Sequence, residues 1–553
     1  MVINHLKKII NFLENQPLNF NTWLVAFLTL SALNLFFQFI TYNFPSISAE
    51  YFIGEVIQPY YLILYLSITL FLFFITRKRG WKKETTFKQN LFFNPQLKKT
   101  ASFVLWGFWA IIFWPIIDKI ILGNNFHISF YLYAGPKEIL KNFFLFFGPL
   151  KPVGILYGTR IEIIFIVIIT TFYTFLKKRN LFLAIFAGLG VYSIFYLTIA
   201  LPSIIVFITN LFQKQQLFNL SDLDVVKFFN TPLQIFALPE KKMTVAFFYK
   251  ISLIYNLILL ILLLIFQTVA SSKIFQSLTK NIRFPQILFN FGLVTTGFLL
   301  GLYYFPENAR FDFFSTVALI NIFLAVLFSW LFAVIINDLE DYQIDQLSNK
   351  NRPLVAGKIP VSIYKNYALI FLLLASLFAI SVSGTIFSLI ALYFLLTSIY
   401  SKYPFKLKRF PWISGLVSAL ASLLFFLVGY HLSAGFQMNV NFPWQIVIFL
   451  FFAYSLILPI KDLKDIEADK TNNIITIANL FGEKNARLYF GTITFLLYLG
   501  SVWIFQNKKL FFPALIIGSL NYWIINNPKN KRDTLLFKII FSAIIYLILL
   551  INL

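Results

Sequence analysis

Asp338, Asp341 and Asp345 stand at positions i, i+3 and i+7, and Asp462, Asp465 and Asp469 repeat that spacing. With Glu340 and Glu467 they make up eight of the 22 acidic residues in a chain of 553. On a helix these positions share one face, where like charges a turn apart repel. Both triplets also follow directly on long apolar runs, so they fall at helix C-terminal ends, where the macrodipole disfavours negative charge. A chain that accepts this twice is expected to hold cations there. Cysteine is absent, and His5, His127 and His431 are far apart, so the ligands are oxygens. Oxygen-only sites suit a hard ion such as Mg2+, which binds through a few carboxylates and substrate phosphates. Lys350, Arg352 and Lys358 follow the first triplet; Lys461 precedes the second and Arg487 follows it. Such groups complete a clamp for phosphate oxygens. The competing reading, two solvated acidic helix ends, fits poorly with one spacing occurring twice in so acid-poor a chain.

The elements that must carry these residues are membrane helices. Hydrophobic residues make up 59% of the chain and charged residues 12%, against roughly 25% charged in soluble proteins. Apolar runs long enough to cross a bilayer recur from residue 19 onward. The sequence predicts an all-α polytopic protein with about fifteen transmembrane helices. Six lie near 19–41, 52–75, 101–122, 160–177, 181–211 and 245–268. Nine more lie near 284–303, 312–336, 364–382, 385–401, 411–433, 443–460, 487–505, 510–526 and 534–552. The net charge of +24 sits mostly in short loops. That is the pattern of cytoplasmic loops and of contact with anionic membrane lipids, and it speaks against nucleic acid as a partner. Fifteen spans with a cytoplasmic N-terminus place the loops at 77–100, 177–179, 273–283, 401–410 and 529–532 on one side, together with both acidic triplets. Residues 1–17 read as an interfacial helix. The polar, basic stretch 271–283 separates a six-helix region, 1–270, from a nine-helix region, 271–553.

Residues 275–553 resemble the UbiA superfamily of intramembrane prenyltransferases. The stretch Asn337-Asp338-Leu339-Glu340-Asp341-Tyr342-Gln343-Ile344-Asp345 matches the family's N-D-x-x-D-x-x-x-D motif, and Arg352-Pro353 with Gly357 resembles its following loop. The second motif, D-x-x-D-x-x-x-D, is Asp462 to Asp469, followed by Phe481-Gly482; Glu467-Ala468-Asp469 stands where the family often has Glu-Gly-Asp. The family has nine helices with its motifs after the second and sixth, as counted here. The resemblance implies a magnesium-dependent transfer of a prenyl group from an isoprenoid diphosphate to a hydrophobic acceptor, aromatic or lipid. The six aspartates would bind metal and act in catalysis, with Asn337 as a neutral oxygen ligand and Lys350, Arg352 and Lys461 on the diphosphate. Tyr393, Tyr400, Tyr403, Tyr430 and Tyr454 are candidates for the aromatic wall around an allylic cation, Tyr400 and Tyr454 foremost. No residue selects the acceptor or the donor's chain length.

Three rival readings remain: an ion-coordinating transporter, a phospholipid-type phosphotransferase and an inactive scaffold. The first calls for mid-membrane carboxylates in broken helices. The second calls for a D-G-x-x-A-R pattern, which the chain lacks. The third sits badly with six intact aspartates. In the first region Asp118, Lys119, Arg160 and Glu162 mark span edges, where charge signals either a site or snorkelling side chains. The Gly- and Pro-containing stretch 134–160 reads as a lid or an external loop, and His431 as a packed or interfacial histidine.

Overall fold

A computed structural model describes residues 2–41, 58–77, 94–123, 131–150, 155–212, 221–280, 282–348, 350–437, 442–464, 466 and 476–552. Among the described residues the chain is all-α apart from one short hairpin. Among the described residues, 13 helices are long and apolar enough to cross a membrane. The two expected spans missing from that number are short: Tyr60–Thr76 has 17 residues and Phe511–Asn526 has 16. Part of the expected 52–75 span, and most of the basic 77–100 loop, lie outside the described residues.

The chain forms two compact units. The first comprises Met1–Leu233 and Lys241–Gln276. Its elements are α1 (Val2–Glu14), α2 (Phe20–Thr41), α3 (Tyr60–Thr76), α4 (Pro95–Gly107), α5 (Trp114–Leu122), α6 (Pro136–Phe144), α7 (Tyr157–Lys178), α8 (Leu181–Ile199), α9 (Leu201–Phe212), α10 (Asp222–Asn230) and most of α11 (Met243–Lys280). The expected span 181–211 is thus two helices that meet at Ala200. The amphipathic α1 is tied down where it ends. Tyr173 donates to Glu14 Oε1 at 2.8 Å, Lys177 pairs with the same carboxylate, and Ser102 donates to the Leu13 carbonyl at 2.7 Å.

The second unit comprises Gln234–Glu240 and Ser277–Leu553. It contains α12 (Phe284–Tyr304), α13 (Phe313–Glu340), the short α14 (Tyr342–Ser348), α15 (Val361–Ile380), α16 (Gly384–Ser401), α17 (Pro411–Ala434), α18 (Trp444–Ile457), α19 (Ile477–Ile504), α20 (Phe511–Asn526) and α21 (Leu535–Asn552). All nine expected spans are present as helices among the described residues. Small residues let α12 and α17 cross closely, as membrane helices do where backbone meets backbone. A Cβ on Gly297 would lie 1.9 Å from the Phe426 carbonyl oxygen, and one on Gly429 1.9 Å from that of Val294. The helix that carries the first acidic motif, α13, begins at Asp312, whose Oδ1 accepts from the Ser315 amide at 2.7 Å. Its apolar face packs Phe328 against Phe378 and Phe332 against Phe394, with ring centroids 5.7 and 4.9 Å apart. That packing fixes the register with which its polar end leaves the bundle.

Candidate active site

The α-helical hydrogen bonding of α13 carries past Glu340. The Asp341 amide donates to the Asn337 carbonyl at 2.9 Å, and the Asp345 amide to the Asp341 carbonyl at 2.8 Å. Asn337, Asp338, Asp341 and Asp345 therefore stay in helical register through the short break between α13 and α14. Arg352 reaches them from the loop that follows. That loop is a tight turn: the Ala356 amide donates to the Arg352 carbonyl at 2.8 Å and the Lys358 amide to that of Pro353 at 2.9 Å. Gly357 takes φ +64°, a conformation that glycine adopts without strain. Leu354 and Ile359 anchor the turn in the core.

Each aspartate of this motif meets a cation. Asp338 is buried, at 1% exposure, and its Oδ1 accepts from Arg352 and from Arg283, both at 3.1 Å. Its Oδ2 accepts from the Tyr364 hydroxyl at 3.0 Å. Arg352 also pairs with Asp345. Lys408, on the turn Leu407–Arg409, donates to Asn337 Oδ1 at 3.0 Å and pairs with Asp341. Three carboxylates thus face three cations. Asn337 and Asp341 converge on one ammonium, and Asp338 and Asp345 on one guanidinium nitrogen. Oxygens that converge in pairs on a single positive centre are a donor set that suits a hard divalent cation, and the guanidinium and ammonium groups between them suit phosphate oxygens. Among the described residues, no three acidic or histidine side chains gather as a ready-made metal cage.

The second motif is arranged differently. At Leu458 the α-helix tightens into a 3-10 run, Leu458–Lys464, that carries Lys461 and Asp462. Pro459 lacks the amide needed to continue the α pattern at this point. Asp462 therefore does not sit on an extended α-helical face, and Asp465 and Asp469 lie outside the described residues. Lys461 donates to Ser418 Oγ at 3.1 Å and reaches the Tyr400 hydroxyl at 3.5 Å, with its ammonium 5.6 Å from the ring centroid. Tyr400 and Ser414 share a hydrogen bond of 3.2 Å.

The other sequence candidates scatter. Lys350 and Lys358 are exposed on the loop after α14. Tyr454 packs in the core around Phe426 and Tyr430, and Tyr393 stacks on Phe425 at 4.3 Å. Tyr403 is 84% exposed. Arg487 is buried and donates to the Ile525 carbonyl at 2.8 Å and to Glu483 at 3.0 Å, so it braces α19. Arg283 and Lys408 enter the site although the sequence marks them only as basic loop residues. Tyr364, near the start of α15, carries no sequence signal at all.

The fold and this site define a polytopic all-α protein with a mixed carboxylate and cation cluster at the end of a membrane helix. Residues 287–544 match the UbiA prenyltransferase family, which bears out the resemblance of the C-terminal half. A probable homogentisate phytyltransferase 2 of Oryza sativa is 26% identical over 218 residues, 36% of this chain and 57% of the relative. A digeranylgeranylglyceryl phosphate synthase of Methanobrevibacter smithii is 29% identical over 174 residues, 30% of this chain and 60% of the relative. The chain thus spans somewhat over half the length of these relatives. A solved structure of a UbiA homologue from Archaeoglobus fulgidus bound to GPP and Mg2+ is 20% identical, covers 50% of this chain and 100% of its own, and superposes with a TM-score of 0.38.

Proposed function

We propose that residues 271–553 form a prenyltransferase that moves a prenyl group from an isoprenoid diphosphate to an aromatic or lipid acceptor within the membrane. The observation that carries this reading is the convergence of Asn337, Asp338, Asp341 and Asp345 with Arg283, Arg352 and Lys408 at the end of an apolar helix. Asn337, Asp341 and Asp345 are the residues that would hold Mg2+, with Asp462, Asp465 and Asp469 as their counterparts in the second motif. When bound, the metal neutralises charge on the departing diphosphate.

The protein's own groups do the rest. Arg352 exchanges Asp345, and Lys408 exchanges Asp341, for diphosphate oxygens, so the clamp on the leaving group is already in place. Lys350 and Lys461 add charge at its edge. Asp338 keeps its oxygens on Arg283, Arg352 and Tyr364, and it orients Arg352. Tyr400, next to Lys461, offers an electron-rich face to an allylic cation. The apolar helices keep water from that cation. The names of the rice and archaeal relatives, one a phytyltransferase and one a glyceryl phosphate lipid synthase, support an aromatic or lipid acceptor. We place the N-terminus and both motifs on the cytoplasmic side, and residues 1–270 in a membrane region with a role of its own.

The test is turnover by the purified full-length protein in lipid, with radiolabelled geranylgeranyl and farnesyl diphosphates and a host lipid and quinone-precursor extract. A labelled product that needs Mg2+ and vanishes with EDTA is expected. Metal-dependent binding of the diphosphate without product would favour the inactive scaffold. No binding at all would favour ion transport.

A further inference from the structure

In the first unit the membrane span Pro95–Leu122 is broken. The helix α4 stops at Gly107, a 3-10 turn covers Phe108–Ile112, and α5 restarts at Trp114. Pro115 accounts for the break: it has no amide to give the Ile111 carbonyl. The buried Asn34 side chain donates to that carbonyl instead, and in turn accepts from Tyr61 at 3.0 Å and from Gln38 at 2.6 Å. Non-helical backbone at membrane depth is tolerated where protein or a cavity covers it, and in transporters such breaks mark binding sites.

A cavity of about 480 Å³ lies at this break. Gly107, Trp109, Ala110 and Phe113 line it from the broken span, Glu162 and Phe165 from α7. Its wall is aromatic and aliphatic except for Glu162, which is 8% exposed. Among the described residues, no hydrogen-bond donor or cation pairs with that carboxylate. Arg160, two residues earlier, is engaged elsewhere: it donates to the carbonyls of Ile155, Phe146 and Gly148 at 2.9, 3.0 and 2.9 Å. The start of α7 is itself fixed. Asp118 Oδ1 accepts from the Gly158 amide at 2.7 Å, and a Cβ on Gly158 would lie 2.2 Å from the Trp114 carbonyl oxygen. Glu162, one turn further along α7, lines the cavity from this fixed start.

A carboxylate among apolar groups with no internal counter-charge is costly, and it is relieved either by a proton or by a cationic ligand. An inorganic cation would need about six oxygens, which this wall lacks. An organic cation needs one carboxylate and aromatic faces, and the stacked indoles of Trp106 and Trp109, 6.5 Å apart, both line the cavity. We propose that the first unit binds a lipophilic ammonium ion here, with its hydrocarbon part along the aromatic wall and its head on Glu162.

The experiment is equilibrium binding of radiolabelled dodecylamine to the full-length protein in maltoside micelles, with labelled dodecanol as the uncharged match. The wild type is expected to take up one dodecylamine saturably. Glu162→Gln should weaken this by about tenfold or more, the scale of a lost charge-assisted contact. Gly107→Phe should block it sterically. Gly107 lines the cavity, and a Cβ there meets nothing within 4 Å, so the backbone accepts a side chain at this position. Melting temperatures of both variants at or above the wild-type value establish that they fold. Unchanged dodecylamine affinity in either folded variant, or equal saturable binding of dodecanol, would overturn the proposal.

Discussion

Asp338 in the second unit and Glu162 in the first are both buried carboxylates on membrane helices, and the protein treats them in opposite ways. Asp338 receives two guanidinium groups and a phenol. Glu162 receives no cation among the described residues and faces a cavity instead. Burying a charge is tolerable when its partners are fixed with it, and removing one partner then exposes the full cost. A carboxylate without fixed partners leaves that compensation to a proton or to a ligand. The first arrangement suits a residue that organises a site; the second suits a residue that binds.

Substitutions separate the two roles. The largest effect is expected at the motif: Asp341→Ala should lower prenyl transfer by a factor of about a hundred to a thousand, the scale of a lost electrostatic contact to a leaving group, with normal membrane insertion as the control. Arg352→Met leaves Asp338 and Asp345 short of a cation, and it should cost about 3 kcal/mol of stability as well as activity, read by thermal unfolding and turnover. Gly158→Ala forces a methyl group against the Trp114 carbonyl and should cost about 1–3 kcal/mol, the range for overpacking, with prenyl transfer per folded molecule retained. Tyr364→Phe removes one hydrogen bond to a charged group and should cost about 1.5 kcal/mol, measured the same way. Glu162→Gln removes a carboxyl group that has no fixed partner among the described residues and should leave stability unchanged or raised. A large loss there would show that Glu162 is paired like Asp338, and the contrast between the units would fail.

What the sequence revealed follows from how local each signal is. The helices of the second unit were legible because each apolar run is continuous, and the i, i+3, i+7 aspartates because their spacing is contained within one helix turn pattern. Arg352 was legible because it follows its partners by only a few residues. Arg283 and Lys408 are 55 and 67 residues from the carboxylates they meet. Only the packing of α12, α13 and α16 brings them there, so in sequence they read as ordinary loop charge. Tyr364 is one of 27 tyrosines and has no distinguishing neighbour. The equal spacing of the two triplets suggested equal backbones, yet Pro459 stands at the start of a 3-10 run, Leu458–Lys464, that carries Asp462, the described member of the second triplet. That proline was the available signal. Pro115 was the corresponding signal in the first unit, where one apolar run conceals two helices.

The most direct test of the central claim is calorimetric binding of a non-reactive thio analogue of geranyl diphosphate to the full-length protein, with and without Mg2+. Tight binding that requires Mg2+ in the wild type, and that falls by at least about tenfold in Asp341→Ala, is the expected result. Binding that ignores both the metal and Asp341 would contradict the assignment of these carboxylates to a metal and diphosphate site.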